Sequence, residues 1–320
     1  LQDKGGWTNR DMVYYYCDYA SYVAETLGDR VKHFVMLNEP NTFSILGHVL
    51  GLHAPGVQDI SAFAATAHHL NLATGMGLER LRSQNSTWQL GTLINLQPIE
   101  PNTDRDDDIE AAQLFDALWN RLFLDPLYKG TYPEMVLGML EDYVQAGDLG
   151  QIQQPLDFLG MNLYNRILIE ADHKSLVGLR MVAPSSSTEL TDMGWEVYPK
   201  ALYNQLKDLQ NNYDNPKVFV TENGAAFKDT LINGKVNDSQ RIRYLARHLE
   251  ALHQAKEEGV NVQGYFVWSL LDNFEWAEGF EKRFGIVYVD YATQKRIPKE
   301  SYFWYQQTIR EGGFNLGRAS

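Results

Sequence analysis

Short apolar runs rich in β-branched and aromatic residues alternate along the chain with longer amphipathic stretches. The runs predict strands at 33–38, 88–96, 157–164, 217–222 and 262–270. The amphipathic stretches predict helices at 8–27, 61–83, 107–123, 199–211, 238–258 and 299–310. The pattern is clearest at 238–258, where apolar residues recur at helical spacing, the opposite face is charged, and Gly259 follows the end.

The predicted order is one helix followed by five strand-helix units. Such alternation is typical of parallel strands joined by right-handed crossovers. We therefore predict an α/β fold, a (β/α)8 TIM barrel of which the chain supplies about the last five strand-helix units. A doubly wound open sheet is the alternative, but it usually carries a Gly-rich phosphate turn after an early strand, and the sequence has none. No linker divides residues 1–320, which predicts a single domain.

Composition limits the classes of partner. With 320 residues and 44% hydrophobic content, the chain can bury a large core. A formal net charge of -13 argues against nucleic acid and against an anionic membrane surface, since both would repel it. The single cysteine, Cys17, excludes an internal disulfide and a site with several thiolate ligands. The acidic loop at 102–108 lacks the spacing of a calcium loop and is expected to be a solvated loop or helix start. We expect no metal and no organic cofactor.

Two glutamates each end an apolar run and carry the strongest signal for chemistry. Glu39 is followed by Pro40, and Glu222 is followed by Asn-Gly, both of which break a strand. In a barrel of parallel strands, side chains at the carboxyl ends point at the site of reaction. The pair therefore suggests an acid and a nucleophile. The alternative is two carboxylates that lie on the surface or cap helices.

The segment at 268–276 combines two tryptophans, two acidic residues and an amide. Aromatic faces stack on the apolar face of a pyranose, while carboxylates and amides pair with its hydroxyls. The mixture therefore favours a sugar ligand. A core edge with buried indole rings is the alternative.

Together these motifs resemble glycoside hydrolase family 1, the β-glucosidase family. The resemblance rests on Leu-Asn-Glu-Pro at 37–40, Thr-Glu-Asn-Gly at 221–224 and the segment at 268–276. Three further motifs stand in family order, at 5–7, 194–199 and 282–285, so the resemblance covers nearly the whole chain. Phe34, Met36 and Leu163 depart from the usual family residues and are expected to affect packing.

The resemblance implies a retaining β-glycosidase that forms a covalent glycosyl-enzyme intermediate. Glu39 would be the general acid/base and Glu222 the nucleophile. Asn38 would bind the sugar 2-hydroxyl, Tyr164 would donate a hydrogen bond to the nucleophile, and Asn162 would lie beside it in the pocket. A core tyrosine is the alternative for Tyr164. An inverting mechanism is disfavoured, because it needs a wider separation of the carboxyls, roughly 6.5–9.5 Å.

The resemblance also implies the walls of the pocket. Glu275 and Trp276 would hold the outer sugar hydroxyls, Trp268 would stack on the sugar, and Trp195 would face the aglycone. Phe284, in the motif at 282–285, is counted with these substrate-binding residues. A carboxylate at Glu275 would repel a 6-phosphate, so we expect terminal non-phosphorylated β-D-glucosides as substrates. Galactosides and fucosides differ from glucosides by single hydroxyls and stay open, as does an oligosaccharide substrate.

The first residues of the chain resemble family sequence that lies just after the third barrel strand. We therefore expect the domain to be incomplete at its N-terminus, and an N-terminal segment of the same enzyme to complete the barrel. The alternative is a truncated, catalytically silent carbohydrate-binding or scaffold protein. The sequence does not identify a compartment, with a weak preference for the cytoplasm.

Overall fold

A computed structural model describes residues 1–314 of the chain. Its α-helices are α1 (Met12–Leu27), α2 (Pro40–His48), α3 (Ile60–Gln84), α4 (Asp106–Asp116), α5 (Leu122–Tyr128), α6 (Leu137–Leu140), α7 (Asp148–Ile152), α8 (Lys200–Asn212), α9 (Ser239–Glu257) and α10 (Glu300–Glu311). Its strands are β1 (His33–Asn38), β2 (Gln89–Asn95), β3 (Ile99–Pro101), β4 (Phe158–Asn162), β5 (Ile167–Ala171), β6 (Leu179–Val182), β7 (Val218–Asn223), β8 (Leu231–Ile232), β9 (Lys235–Val236), β10 (Val262–Val267), β11 (Val287–Asp290) and β12 (Lys295–Pro298). Short 3-10 turns lie at Gln2–Lys4, Gly6–Thr8, Glu134–Val136 and Trp276–Glu278, and a π-helical turn at Ala117–Arg121 joins α4 to α5.

The five predicted strands correspond to β1, β2, β4, β7 and β10, and their existence is confirmed. The prediction for 268–270 is wrong, because β10 ends at Val267. Beyond that point, the Ser269 amide donates to the Phe284 carbonyl and the Leu270 carbonyl accepts from Val287, so the apolar run continues as a loop. The predicted helix at 107–123 is divided by the π-helical turn.

Helix α2 was not predicted from the sequence. Pro40 occupies its first turn, where a missing amide costs no hydrogen bond and the fixed φ suits a helix. The same proline that ends β1 therefore starts α2.

The chain folds into two compact units. Unit 1 comprises residues 1–162, 167–182 and 216–219. In unit 1, β2 pairs in parallel with β1 on one side and with β4 on the other. The Leu159 amide then donates to the carbonyl of Lys217, at 2.8 Å, just before β7 begins. Unit 1 thus has the parallel strand arrangement that the alternating pattern predicts.

The core of unit 1 forms where α1 and α3 pack behind these strands. Its buried cluster consists of Ala24, Met36, Leu78, Leu81, Trp88 and Leu90. A smaller sheet joins β3 to β5 in parallel and β5 to β6 antiparallel.

Unit 2 comprises residues 163–166, 183–215 and 220–314. It holds the end of β7, the strand β10, the antiparallel pairs β8–β9 and β11–β12, and the helices α8, α9 and α10. Its buried cluster consists of Val197, Ala225, Phe227, Tyr244 and Leu245. The Trp268 amide donates to the Asn223 carbonyl, at 3.0 Å, so the residues after β10 pair with the end of β7.

Among the helices of residues 1–314, none combines the length and the apolar character that crossing a membrane requires.

Candidate active site

Glu39 is the single residue between β1 and α2. Its backbone adopts a left-handed conformation, with φ 51° and ψ 54°, which is uncommon for a residue with a side chain. The Glu39 amide donates to the Leu93 carbonyl at 3.0 Å, which fixes the end of β1 to β2. Strained backbone of this kind costs about 1–3 kcal/mol and persists where the surroundings impose it, often at functional sites. The turn thus fixes the backbone position from which the Glu39 side chain projects.

Asn162 holds the Glu39 carboxylate. It lies at the end of β4, is fully buried, and its Nδ2 donates to Glu39 Oε1 at 2.6 Å. The same nitrogen lies 3.5 Å from Asn38 Oδ1, whose residue is exposed. Three predicted site residues of unit 1, Asn38, Glu39 and Asn162, are therefore brought together at the carboxyl ends of parallel strands.

Asn41 supports this corner and was missed in the sequence. Its buried side chain donates to the carbonyls of Asn95, at 2.7 Å, and Trp119, at 3.1 Å. Its Oδ1 accepts from the Asn95 amide at 3.3 Å. The start of α2 is thereby tied to the end of β2. The signal in the sequence was an amide two residues after the glutamate, on a helix that was not recognised.

Glu222 lies near the end of β7 in unit 2. The Tyr164 hydroxyl donates to its Oε2 at 2.5 Å, and the Leu163 amide donates to its backbone carbonyl at 3.0 Å. Tyr164 is only 8% exposed, so water competes little for this hydrogen bond. A hydroxyl that donates to a carboxylate stabilises its charged form.

Three aromatic rings pack together beside Glu222. The ring centroids of Tyr164 and Trp195 are 5.4 Å apart, and Phe284 lies 6.1 Å from Tyr164 and 6.0 Å from Trp195. Trp268 packs on the edge of this group and is partly buried. Phe284 is only 2% exposed, so its ring is almost completely buried.

Gly224 allows the loop after β10 to approach the end of β7. A Cβ atom on Gly224 would lie 1.8 Å from the Trp268 carbonyl oxygen, so no side chain fits there. The peptide between Trp268 and Ser269 is cis. This close approach brings Trp268 next to the segment that carries Glu222.

Glu275 and Trp276 lie further along the same loop. The Glu275 amide donates to the Gly279 carbonyl at 2.6 Å, and Trp276 begins the 3-10 turn with φ 40°. Trp276 is 69% exposed and Glu275 is partly exposed.

A buried cluster of ion pairs supports this loop through Asp272. Its members are Asp229, Asp238, Asp272, Arg241, Arg283 and Lys299. Asp272 is the connection to the loop. Its Oδ1 accepts from Lys299 Nζ, at 2.8 Å, and from the Gly285 amide, at 3.0 Å. Its Oδ2 accepts from Arg283 at 2.6 Å.

Within residues 1–314, no group of three or more His, Cys, Asp or Glu side chains has an arrangement that could hold a metal ion.

Comparison with known proteins assigns the family. Residues 1–314 match the model of glycosyl hydrolase family 1. The chain is 43% identical to a 1,4-beta-D-glucan glucohydrolase of Thermotoga neapolitana, over 98% of the chain and 71% of that protein. It is 43% identical to Beta-glucosidase A of Acetivibrio thermocellus, over 98% and 72%. A bifunctional beta-D-glucosidase/beta-D-fucosidase of Bifidobacterium breve is 39% identical, over 96% of the chain and 70% of that protein.

A family 1 β-glucosidase of Thermotoga maritima superposes with a TM-score of 0.93 at 41% identity, covering 98% of the chain and 72% of that structure. A second structure of the enzyme, in complex with deoxynojirimycin, gives the same values. The predicted fold class, part of a TIM barrel, is thereby confirmed, and so is the prediction of an enzyme of the β-glucosidase family. The single domain and the N-terminal segment that completes the barrel stay predictions. The chain belongs to glycosyl hydrolase family 1.

Proposed function

We propose that the chain hydrolyses terminal, non-phosphorylated β-D-glucosides with retention of configuration. Two relatives that are 43% and 39% identical over nearly the whole chain, named Beta-glucosidase A and bifunctional beta-D-glucosidase/beta-D-fucosidase, support the substrate class. The hydrogen bond from Tyr164 to Glu222, at 2.5 Å, is the observation that carries the mechanism, because it keeps one carboxyl charged for attack.

In the first step, a carboxylate oxygen of Glu222 bonds to the anomeric carbon, and the bond from that carbon to the leaving oxygen breaks. Glu39 gives its proton to the leaving oxygen. Asn162 donates an N–H to Glu39 Oε1, so this oxygen acts as an acceptor. A retaining mechanism requires the two carboxyls roughly 5–5.5 Å apart.

In the second step, Glu39 takes a proton from water while the water oxygen attacks the anomeric carbon. The ester bond to Glu222 breaks and its carboxylate is restored. Two inversions at one carbon give net retention. The Asn162 amide can keep its hydrogen bond to Glu39 in both protonation states, since an N–H can donate to either form.

The sugar is held by five further predicted residues. Asn38 pairs with the 2-hydroxyl, Glu275 and Trp276 hold the outer hydroxyls, and Trp268 stacks on the ring. Trp195 faces the aglycone. The carboxylate of Glu275 disfavours a 6-phosphorylated sugar, because the two negative charges repel each other.

Azide rescue of two variants tests the assignment. Wild type is expected to hydrolyse p-nitrophenyl β-D-glucoside, and Glu222→Ala to lose this activity. In Glu222→Ala, azide that occupies the space of the removed carboxylate should attack the anomeric carbon and yield the α-glucosyl azide, by a single inversion. In Glu39→Ala, azide should yield the β-glucosyl azide, because it attacks the glycosyl-enzyme from the face of the sugar opposite to Glu222.

The exposed Glu257→Ala serves as the control and should behave as wild type. The opposite pairing of azide anomers would refute the assigned roles. Binding of glucoside without turnover by the wild type would favour the silent carbohydrate-binding alternative.

A further inference from the structure

A buried amide lies directly after the proposed nucleophile. Asn223 is fully buried, and its Nδ2 donates to the Leu163 carbonyl, at 2.7 Å, and to the Tyr244 hydroxyl, at 3.1 Å. Its Oδ1 accepts from the Tyr265 hydroxyl at 2.7 Å. Both amide hydrogens and the oxygen are used. A flipped amide would face the Leu163 carbonyl with its own oxygen, so one orientation is selected.

The Tyr244 hydroxyl connects this amide to the other neighbour of the nucleophile. It accepts from Asn223 and donates to the backbone carbonyl of Tyr164 at 3.0 Å. Tyr164 is the residue whose own hydroxyl donates to Glu222. Asn223, the covalent neighbour of Glu222, and Tyr164, the hydrogen-bond donor to Glu222, therefore both bond to the Tyr244 hydroxyl.

Tyr244 is itself rigidly held. It lies on α9, is 1% exposed, and its ring stacks on His248 with centroids 3.9 Å apart. Burial raises the pKa of Tyr244 far above its usual value, so the hydroxyl keeps its proton and continues to donate.

We propose that Tyr244 is a positioning residue for the nucleophile, which fixes the backbone of Tyr164 so that the Tyr164 hydroxyl reaches Glu222. This inference rests on the proposed function. Without the Tyr244 hydroxyl, the Tyr164 carbonyl and the Asn223 amide lose their shared partner in a buried place. The Tyr164 backbone then relaxes, and the short bond to Glu222 lengthens.

Tyr244→Phe tests the inference, because it removes a single oxygen atom. Displacements on the order of 1 Å at a reacting group cost about 100-fold in rate, so we expect kcat to fall roughly 10- to 100-fold. The acidic limb of the kcat/KM profile should also move to higher pH, since the carboxylate of Glu222 loses stabilisation. KM should change less than kcat.

Tyr203→Phe is the matched control. Its hydroxyl donates to Glu258 Oε2 at 2.6 Å, in the same unit, without bonding to Tyr164, Asn223, Tyr265 or Glu222. We expect its kcat and its pH profile to match those of wild type. A loss of stability alone in Tyr244→Phe, with kcat and the acidic limb unmoved, would overturn the inference.

A double variant separates positioning from general damage. If Tyr244 acts through Tyr164, adding Tyr244→Phe to Tyr164→Phe should cost little further activity. Additive losses would refute the route through Tyr164. Should Tyr244→Phe fail to fold, Asn223→Ser is used in its place, because it also removes a partner of the Tyr244 hydroxyl and should move the acidic limb in the same direction.

The outcome for the proposed function is read separately. A wild type that is inactive on the aryl glucoside overturns both proposals. An active wild type and an inactive Glu222→Ala, combined with an unaltered Tyr244→Phe, overturn the positioning role alone.

Discussion

Lys299→Met is expected to destabilise unit 2 strongly. The ammonium group of Lys299 is buried and donates to Asp229 Oδ2, at 2.5 Å, and to Asp272 Oδ1, at 2.8 Å. Methionine keeps a similar stem but removes the charge. The formal charges of the three aspartates and three cations of the cluster cancel, so the variant leaves one negative charge uncompensated in a buried place.

The size of the effect follows from what the two carboxylates retain. Removing one partner of a buried ion pair costs about 3–5 kcal/mol. Asp229 keeps Arg241, with two hydrogen bonds of 3.1 Å, and Asp272 keeps Arg283, at 2.6 Å. Burial and the nearby Arg241 charge also lower the pKa of Lys299, which indicates that desolvation offsets part of the attraction. We therefore expect the lower end of the range, about 3 kcal/mol.

Urea unfolding at neutral pH measures this loss, with Lys295→Met, at the exposed first residue of β12, as the control. The control should stay within about 0.5 kcal/mol of wild type. Adding Asp229→Asn to Lys299→Met removes one charge of each sign, so the double variant should be more stable than the sum of the single losses by at least about 1 kcal/mol. A loss below about 1 kcal/mol for Lys299→Met, or strict additivity in the double variant, would refute the reasoning.

Two further predictions concern His248, whose ring stacks on Tyr244, and Gly224, two residues after Glu222. Burial lowers the pKa of His248 from 6.5 to about 4, so the unfolded chain takes up the proton first as the pH falls. Stability is lost between about pH 6.5 and pH 4, by about 3 kcal/mol at roughly 1.4 kcal/mol per pH unit. His248→Gln, which can still donate to the Tyr244 carbonyl, should flatten this acid slope in urea unfolding at pH 7, 5.5 and 4, and parallel slopes would contradict the assignment. Gly224→Ala should lower both Tm and kcat/KM, because the added Cβ meets the Trp268 carbonyl at 1.8 Å, whereas Gly150→Ala, where the space is open, should lower neither.

The alternating pattern was sufficient to predict the parallel strands, because strands buried against helices are apolar along most of their length. The pattern gave a wrong prediction where the run at 262–270 continues beyond the end of β10 at Val267. At 268–270 the Trp268 amide still donates to Asn223 at the end of β7, but the Ser269 amide donates to the Phe284 carbonyl and the Leu270 carbonyl accepts from the Val287 amide, so the chain leaves the sheet as a loop. Pro40 was recognised as the end of β1 but not as the start of α2.

The two glutamates and Tyr164 were predicted from local motifs and the family they resemble. Tyr244 was not, because it lies on α9, 80 residues from Tyr164 in sequence, and only the fold brings their groups together. A signal was nevertheless present. Arg241, Tyr244 and His248 place polar atoms at helical spacing on the buried face of an amphipathic helix. Polar groups at such positions need partners, and finding those partners requires the tertiary structure.

The stretch Asn162-Leu163-Tyr164 supplies a donor to each proposed catalytic carboxylate, Glu39 through Asn162 and Glu222 through Tyr164. Leu163, between them, bonds through its amide to the Glu222 carbonyl. Inserting or deleting one residue here would displace both donors together, whereas a substitution can remove one and leave the other in place. Substitutions in this stretch can therefore remove the donor to Glu39 or the donor to Glu222 separately, whereas a change in its length alters both.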